Sequence, residues 1–343
     1  MTKVLDGCIK CGACVRECPV LRQEGPGVFP GPRQLAVEGP RFNRELEGLR
    51  SPLALCTTCA RCEAACPSRL PLPDAVVEVR KRLSGPGPLS EGHRRMLENV
   101  DRTGRTVLPE RKAGERPAEG DVLFFPGCIG EGRSGEATSS ALALIRAAGG
   151  KPYVPGGWMC CGSPLEKIGD TERLRKVREA NLPLLDRAEV LVASCPGCTM
   201  QLRRGYGKDP LHLLEFLAER GAKLPFDPEA PKVRVSLHRP CHLARSVGPH
   251  TIDDARRILE AVPGVEVLDH PGQDDCCGGG GGVASAAPEV AARMAQARMA
   301  AARDAGADMV LAPCPFCVVN LGRTSMMEVR DLAAFLVARL ERS

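Results

Sequence analysis

Eighteen of the 343 residues are cysteine, and their spacing is where chemistry first shows. Cys8, Cys11, Cys14 and Cys18, closed by Pro19, form one run; Cys56, Cys59, Cys62 and Cys66, closed by Pro67, repeat it. Two-residue spacers wrap the backbone around a compact centre so that three thiolates reach three irons of a cubane. In this spacing the fourth cysteine of each run ligates the other cluster. Cys8, Cys11, Cys14 and Cys66 are therefore assigned to one 4Fe–4S cubane, and Cys56, Cys59, Cys62 and Cys18 to a second. Zinc favours isolated sets of four ligands, which two identical runs with a trailing proline do not resemble.

The other ten cysteines fall into two copies of a five-cysteine pattern. Copy one contains Cys128, the pair Cys160–Cys161, and Cys195 with Cys198; copy two contains Cys241, the pair Cys276–Cys277, and Cys314 with Cys317. The flanking text repeats too: DVLFFPGC parallels VRVSLHRPC, and EVLVASCPGC parallels DMVLAPCPFC. An internal duplication is the economical explanation. Adjacent cysteines reach two corners of one cubane poorly, so a cluster with an altered core and a fifth thiolate suits them better. A thioredoxin-like dithiol is the rival for CPGC and CPFC, but it has no use for three more cysteines at matched positions. A structural zinc site in one copy is the other alternative.

Around these sets, His238 and His242 flank Cys241. Histidine titrates near neutrality, so either could deliver a proton; a packed imidazole beside a metal centre is the plainer reading. Arg239 and Arg245 suit charge neutralisation of an anionic centre, and His212, in the expected helix DPLHLLEFLAE, is read as structural. The run Gly278–Gly282 lacks the Lys-Ser/Thr of a phosphate loop, and close backbone approach to a cluster explains it better.

Composition narrows the classes. Aromatic residues make up only 3%, which argues against stacking platforms for bases, and the basic residues are scattered, so the formal charge of +5 does not point to nucleic acid. No run of about 18 apolar residues is present, and the start lacks a signal-peptide pattern. A cytoplasmic protein is expected, where thiols stay reduced and hold metal more often than they form disulfides; membrane association would need a partner.

The elements that must position the cysteines follow. Residues 1–83 read as short helices around the two runs; 84–120 as a linker with one helix, SEGHRRMLENVDR, capped by Ser90; 121–228 and 229–343 as two duplicated α/β domains. DVLFF, EVLVAS, VRVSL, VEVLD and DMVLA are expected strands alternating with helices, hence parallel βαβ sheets. Val290, Met294, Ala297 and Ala301 form an expected core stripe. The single cysteines and the CxxC pairs fall just past strand ends, where open α/β sheets place ligands. Pro196 and Pro315 open helices whose N-termini favour thiolates.

WMCCGSP (158–164), HRPCHLAR (238–245) and DCCGGGGG (275–282) resemble the cysteine-rich (CCG) domain family. That family is found in heterodisulfide reductases and in iron–sulfur subunits of glycolate oxidase, anaerobic glycerol-3-phosphate dehydrogenase and some succinate dehydrogenase/fumarate reductase types. An α-helical ferredoxin module followed by two such domains is similar to the fused catalytic subunit of heterodisulfide reductase. The resemblance implies one or two noncubane 4Fe–4S clusters in the CCG domains, with zinc as the alternative in the first. It implies a disulfide split between clusters, with copy two (Cys241, Cys276, Cys277, Cys314, Cys317, with His242 beside them) as the catalytic set. It also implies an electron-donor subunit, a flavoprotein or membrane cytochrome. The second reading is an electron relay for a flavin-dependent dehydrogenase.

Overall fold

Strands that are apolar along their whole length can be stable only where both faces are covered, which is the signature of parallel sheets flanked by helices. β1 (Val122–Phe125) is buried at all four residues, and β3 (Val190–Ala193), β5 (Val233–Leu237) and β7 (Met309–Ala312) are buried over their last three. In the structure, a computed structural model that describes residues 5–39, 46–83, 90–110, 116–221 and 224–341, these are the central strands of two sheets. With β2 (Pro152–Tyr153), β4 (Leu211–His212), β6 (Val265–Leu268) and β8 (Glu328–Asp331), the orders are β2-β1-β3-β4 and β6-β5-β7-β8. Every pairing is parallel; Phe125 lies beside Ala193 in one sheet, and Leu237 beside Leu311 in the other.

The identical strand order makes the duplication structural. In each sheet the order reverses between the first and third strands, so the crevice at their carboxyl ends is the natural ligand position. The two halves pack face to face: helix Ala137–Ala147 lies on Leu332–Val337, and Leu213–Glu219 on His250–Glu260, with equivalent elements exchanged. A continuous core containing Phe124, Leu144, Phe216, Leu259 and Phe335 joins them.

Before Val122 the described residues are helical or irregular, with Ala13–Arg16, Pro19–Glu24, Arg61–Ala64 and Leu72–Leu83 around the two cysteine runs. Leu35, Leu53, Leu72 and Val76 share one core with Val283, Val290, Ala291 and Met294 of the second half. Helix Glu91–Thr103 starts where expected: the Ser90 hydroxyl accepts from the His93 N–H, and Gly104 ends it in the left-handed conformation. Its Met96 and Val100 pack on Leu165 and Ile168 of the first half.

Two readings are corrected. His212 is not within a helix; it ends β4 and caps helix Leu213–Glu219, its Nδ1 accepting the Leu214 N–H. In helix Pro288–Asp304, Ala297 is exposed and Ala301 half-buried; the core stripe is Ala291, Ala295, Met299 and Ala302 beside Val290 and Met294. Parts of the expected linker (84–89 and 111–115) and of the spacer between the cysteine runs (40–45) lie outside the described residues.

Candidate metal centres

The two N-terminal runs share one backbone shape. Lys10 and Gly12 flank Cys11 with φ of 55° and 78°; Thr58 and Ala60 flank Cys59 with φ of 52° and 60°. Left-handed conformations cost a non-glycine residue about 1 kcal/mol each, and alternating them turns successive N–H groups toward one side, forming an anion-binding concavity. Cys8, Cys11, Cys14 and Cys66 line one pocket together with Arg33. Burial pushes the Cys14 thiol up, and neighbouring Cys8, Cys66 and Cys11 push it further. Cys18 meets Cys56 and Cys59; burial drives it up to about 12. Cys62 is raised by burial and then by Cys56, Cys59 and Cys18. Four thiolates this close cannot ionise together without a cation among them, so both sets fit a metal cluster.

Strand ends and helix starts set the five-cysteine sites. Cys128 follows β1 and Cys241 follows β5, while Cys195 and Cys314 are the N-cap residues of Pro196–Tyr206 and Pro315–Gly322, each with proline in the first turn. The adjacent pairs come in from the loops after β2 and β6, and Cys241 Sγ lies 3.9 Å from Cys276 Sγ. The thiol of Cys161 is held down at about 6 by hydrogen bonds from Cys160 and Cys198. Contact with Cys277 and Cys314, and then burial, holds Cys317 up. The sites face each other, since Cys195 of the first contacts Cys314 of the second. Between them lies a cleft lined by nine of the ten cysteines, with apolar Met96, Val107 and Phe316. Lys167 is its only lysine or arginine among the described residues.

Cys276, the tenth, turns toward Cys59 of the second N-terminal run, and the two thiols are in hydrogen-bond contact. Three features close this seam. Arg80, fully buried, donates to the carbonyls of Leu53, Cys56 (2.8 Å), Lys167 (2.8 Å) and Gly281 (2.9 Å), so one side chain ties the cysteine runs to both halves. Gly281, at φ 64°, lies against the backbone of Cys56 and Thr57, where a Cβ would collide with the Cys56 carbonyl. Arg245 Nε donates to the Cys59 carbonyl at 2.7 Å, and Arg61 bridges Glu17 and Asp275.

His242 sits where the cleft meets the seam, its Nε2 3.2 Å from the Thr58 carbonyl and 3.2 Å from Lys167 Nζ. Burial, then the Lys167 charge, lowers its pKa to about 3, so the imidazole is neutral. His238 does not line the cleft; it lies behind the second site, where a ring nitrogen and the sulfurs of Cys277 and Cys317 are within 4.8 Å of one another. Arg239 pairs with Asp269 and Asp274. Sequence reasoning did not find Arg80, Lys167 or Arg298. Arg298 left a trace, as a charge interrupting the otherwise apolar buried face of its helix.

Comparison with known proteins agrees with this geometry. The cysteine-rich domain family matches residues 122–203 and 235–322, and the 4Fe-4S dicluster domain matches 4–70. One component of the CoM/CoB fumarate reductase of Methanothermobacter marburgensis is 32% identical over 93% of this chain and 68% of its own length. One component of the dihydromethanophenazine:CoB–CoM heterodisulfide reductase of Methanosarcina barkeri is 27% identical over 92% of this chain and 88% of its own. A hypothetical protein from Helicobacter pylori shares the fold, with a TM-score of 0.59 at 10% identity, over 94% of this chain and 70% of that one. The chain thus belongs to the cysteine-rich (CCG) domain family, as an iron–sulfur oxidoreductase subunit with a ferredoxin-like module ahead of two CCG domains.

Proposed function

We propose that this subunit passes single electrons through two cubane clusters of an α-helical ferredoxin module to the paired CCG sites, where a disulfide is reduced. The domains are taken as 1–83, a linker 84–120 with one helix, 121–228 and 229–343. Cys8, Cys11, Cys14 and Cys66 would hold one cubane, and Cys18, Cys56, Cys59 and Cys62 the other. Cys241, Cys276, Cys277, Cys314 and Cys317 would hold a noncubane 4Fe–4S cluster. Cys128, Cys160, Cys161, Cys195 and Cys198 would hold a second such cluster or zinc. Bound clusters supply one-electron steps; the protein supplies the order in which they occur.

The observation that carries this reading is the contact between Cys59 and Cys276. It makes a file of sulfur sites, with Cys62 within electrostatic range of Cys14, then Cys59 in contact with Cys276, then the cleft where the two five-cysteine sets meet. The lining of the cleft is largely apolar, and Lys167 places a positive charge where a thiolate would form. A disulfide consumes two electrons and two protons to give two thiols. Lys167 is the proton donor on the cleft wall, its Nζ 3.2 Å from Nε2 of the neutral His242, which would hold it in place. The donor would be a partner, either a flavoprotein or a membrane cytochrome. Among the described residues no helix is long and apolar enough to cross a membrane.

The test is reduction of a mixed disulfide by a reduced dye with this chain alone. Thiol release in proportion to dye oxidised supports the reductase. The Methanothermobacter relative, named as part of a fumarate reductase, favours a second reading: relay for a flavin-dependent dehydrogenase. In that case the isolated chain releases no thiol, and electrons flow only when a flavoprotein is added.

A further inference from the structure

The two five-cysteine sites differ at one decisive position. Three residues before the first cysteine stands Phe125 in copy one and His238 in copy two. Phe125 meets Trp158 edge-on, ring centroids 5.4 Å apart. His238 is fully buried, and instead of an aromatic ring it meets Arg298, itself only 3% exposed. Arg298 Nε donates to His238 Nδ1 at 3.3 Å. A nitrogen that accepts carries no proton, so the neutral ring bears its proton on Nε2. Nε2 is buried, is not close enough to any group among the described residues for a well-formed hydrogen bond, and has the Cys277 sulfur as its nearest acceptor. The sulfurs of Cys277 and Cys317 lie within 4.8 Å of the ring.

This tautomer also argues against the obvious alternative, a mononuclear metal bound by His238, Cys277 and Cys317. A ligating histidine gives a lone pair to the metal and donates its other N–H to an acceptor. Here the other nitrogen faces a guanidinium, which can only donate. Nη1 and Nη2 of Arg298 are likewise buried and unpartnered among the described residues, leaving a cationic group beside the second site.

We propose that His238 is an N–H donor to the thiolate sulfur of the second CCG site and, with Arg298, raises the reduction potential of that site. This rests on the reading that copy two holds an iron–sulfur cluster. Hydrogen bonds to the sulfurs and nearby charge are established levers on cluster potential, because both favour the more negative, reduced state. The step affected is the transfer of one electron from the Cys18/Cys56/Cys59/Cys62 cluster to the second site, with no bond made and no proton moved. The raised potential draws that electron into copy two, next to its point of entry at Cys59 and Cys276.

The experiment is an EPR-monitored redox titration of the anaerobically prepared full chain, with iron counted for each variant. His238→Phe, which installs the residue of copy one, should lower the midpoint of the second-site signal by at least a tenfold change in the reduction equilibrium. That is about 59 mV for a one-electron couple. The ferredoxin-type midpoints should not move, and His238→Gln, which keeps an N–H donor, should restore most of the shift. An unmoved midpoint with iron retained overturns the proposal. Loss of about four irons in both variants overturns it too, because it would make His238 a ligand. Wild-type protein grown with nitrogen-15 histidine gives a readout that does not depend on a variant folding. The weak hyperfine coupling of a hydrogen-bonded nitrogen is expected; strong coupling of a ligand nitrogen, or none, refutes the assignment. Wild-type protein with ferredoxin-type iron but none at the second site would fail the proposed function itself, and this inference with it.

Discussion

Replacing Arg80 tests whether the electron path and the fold depend on the same side chain. Its guanidinium serves the carbonyls of Leu53, Cys56, Lys167 and Gly281 from a fully buried position. A buried acceptor left without its donor costs about 1–3 kcal/mol. At the low end of that range, Arg80→Gln, which reaches fewer carbonyls, should lose about 3 kcal/mol of stability, a large share of a typical 5–15 kcal/mol. Arg80→Lys keeps the charge and up to three donors and should lose about half as much. The charge has a separate effect. A unit charge roughly 8 Å from a cluster acts with about 2 kcal/mol at an effective dielectric near 20, which is roughly 90 mV for one electron. Arg80→Gln should therefore lower the midpoint of the Cys18/Cys56/Cys59/Cys62 cluster by that order while the Cys8/Cys11/Cys14/Cys66 cluster stays put. Arg80→Lys should leave both near wild type. Urea unfolding and EPR redox titration read the two effects independently. If Arg80→Gln is fully loaded with iron and neither its unfolding midpoint nor that cluster potential moves, Arg80 has neither role.

Other outcomes follow from the same geometry. Cys276→Ser should abolish disulfide turnover while the ferredoxin-type EPR signals persist; loss of every signal together would contradict separate sites. Gly281→Val places a Cβ against the Cys56 carbonyl at a φ of 64° and should cost about 3 kcal/mol or more from strain and displaced backbone, seen as a lower thermal midpoint and slower cluster loading. Lys167→Met removes the only lysine or arginine lining the cleft among the described residues and should raise the KM for an anionic disulfide or cut turnover about tenfold or more, with cluster signals unchanged. His212 is held at about 4 by burial, below the ordinary 6.5, so the unfolded chain binds its proton first as pH falls. Stability should be fully present above about 6.5 and fall toward 4, by about 3 kcal/mol from this group. His212→Asn, which can still cap helix Leu213–Glu219, should flatten that share of the urea midpoint's pH dependence.

What could be read from the chain was what short-range geometry encodes. Cysteines two residues apart converge whatever lies around them, and the repeat of five cysteines marked the duplication before any sheet was seen. Of the central strands, β1, β3 and β7 were legible as continuous apolar runs and β5 as an alternating one, while β2 and β4, two residues each, have no periodicity to detect. His212 was misplaced because a capping residue and a helical residue look alike in composition. The glycine run after Cys277 pointed to a close approach, but the partner turned out to be protein as well as sulfur: Gly280 and Gly281 lie on the backbone of Cys56 and Thr57. Arg80 and Lys167 read as ordinary basic residues in helical turns. Their burial comes from three modules closing around them, a tertiary fact with no local signature.

The central claim is that the four cysteine nests hold iron, and metal counting on anaerobically purified, fully folded protein tests it most directly. At about four irons per cluster, the account predicts roughly twelve irons per chain if zinc sits in the first CCG site and roughly sixteen if it does not. A folded, colourless chain carrying zinc or no metal, with negligible iron, would contradict it.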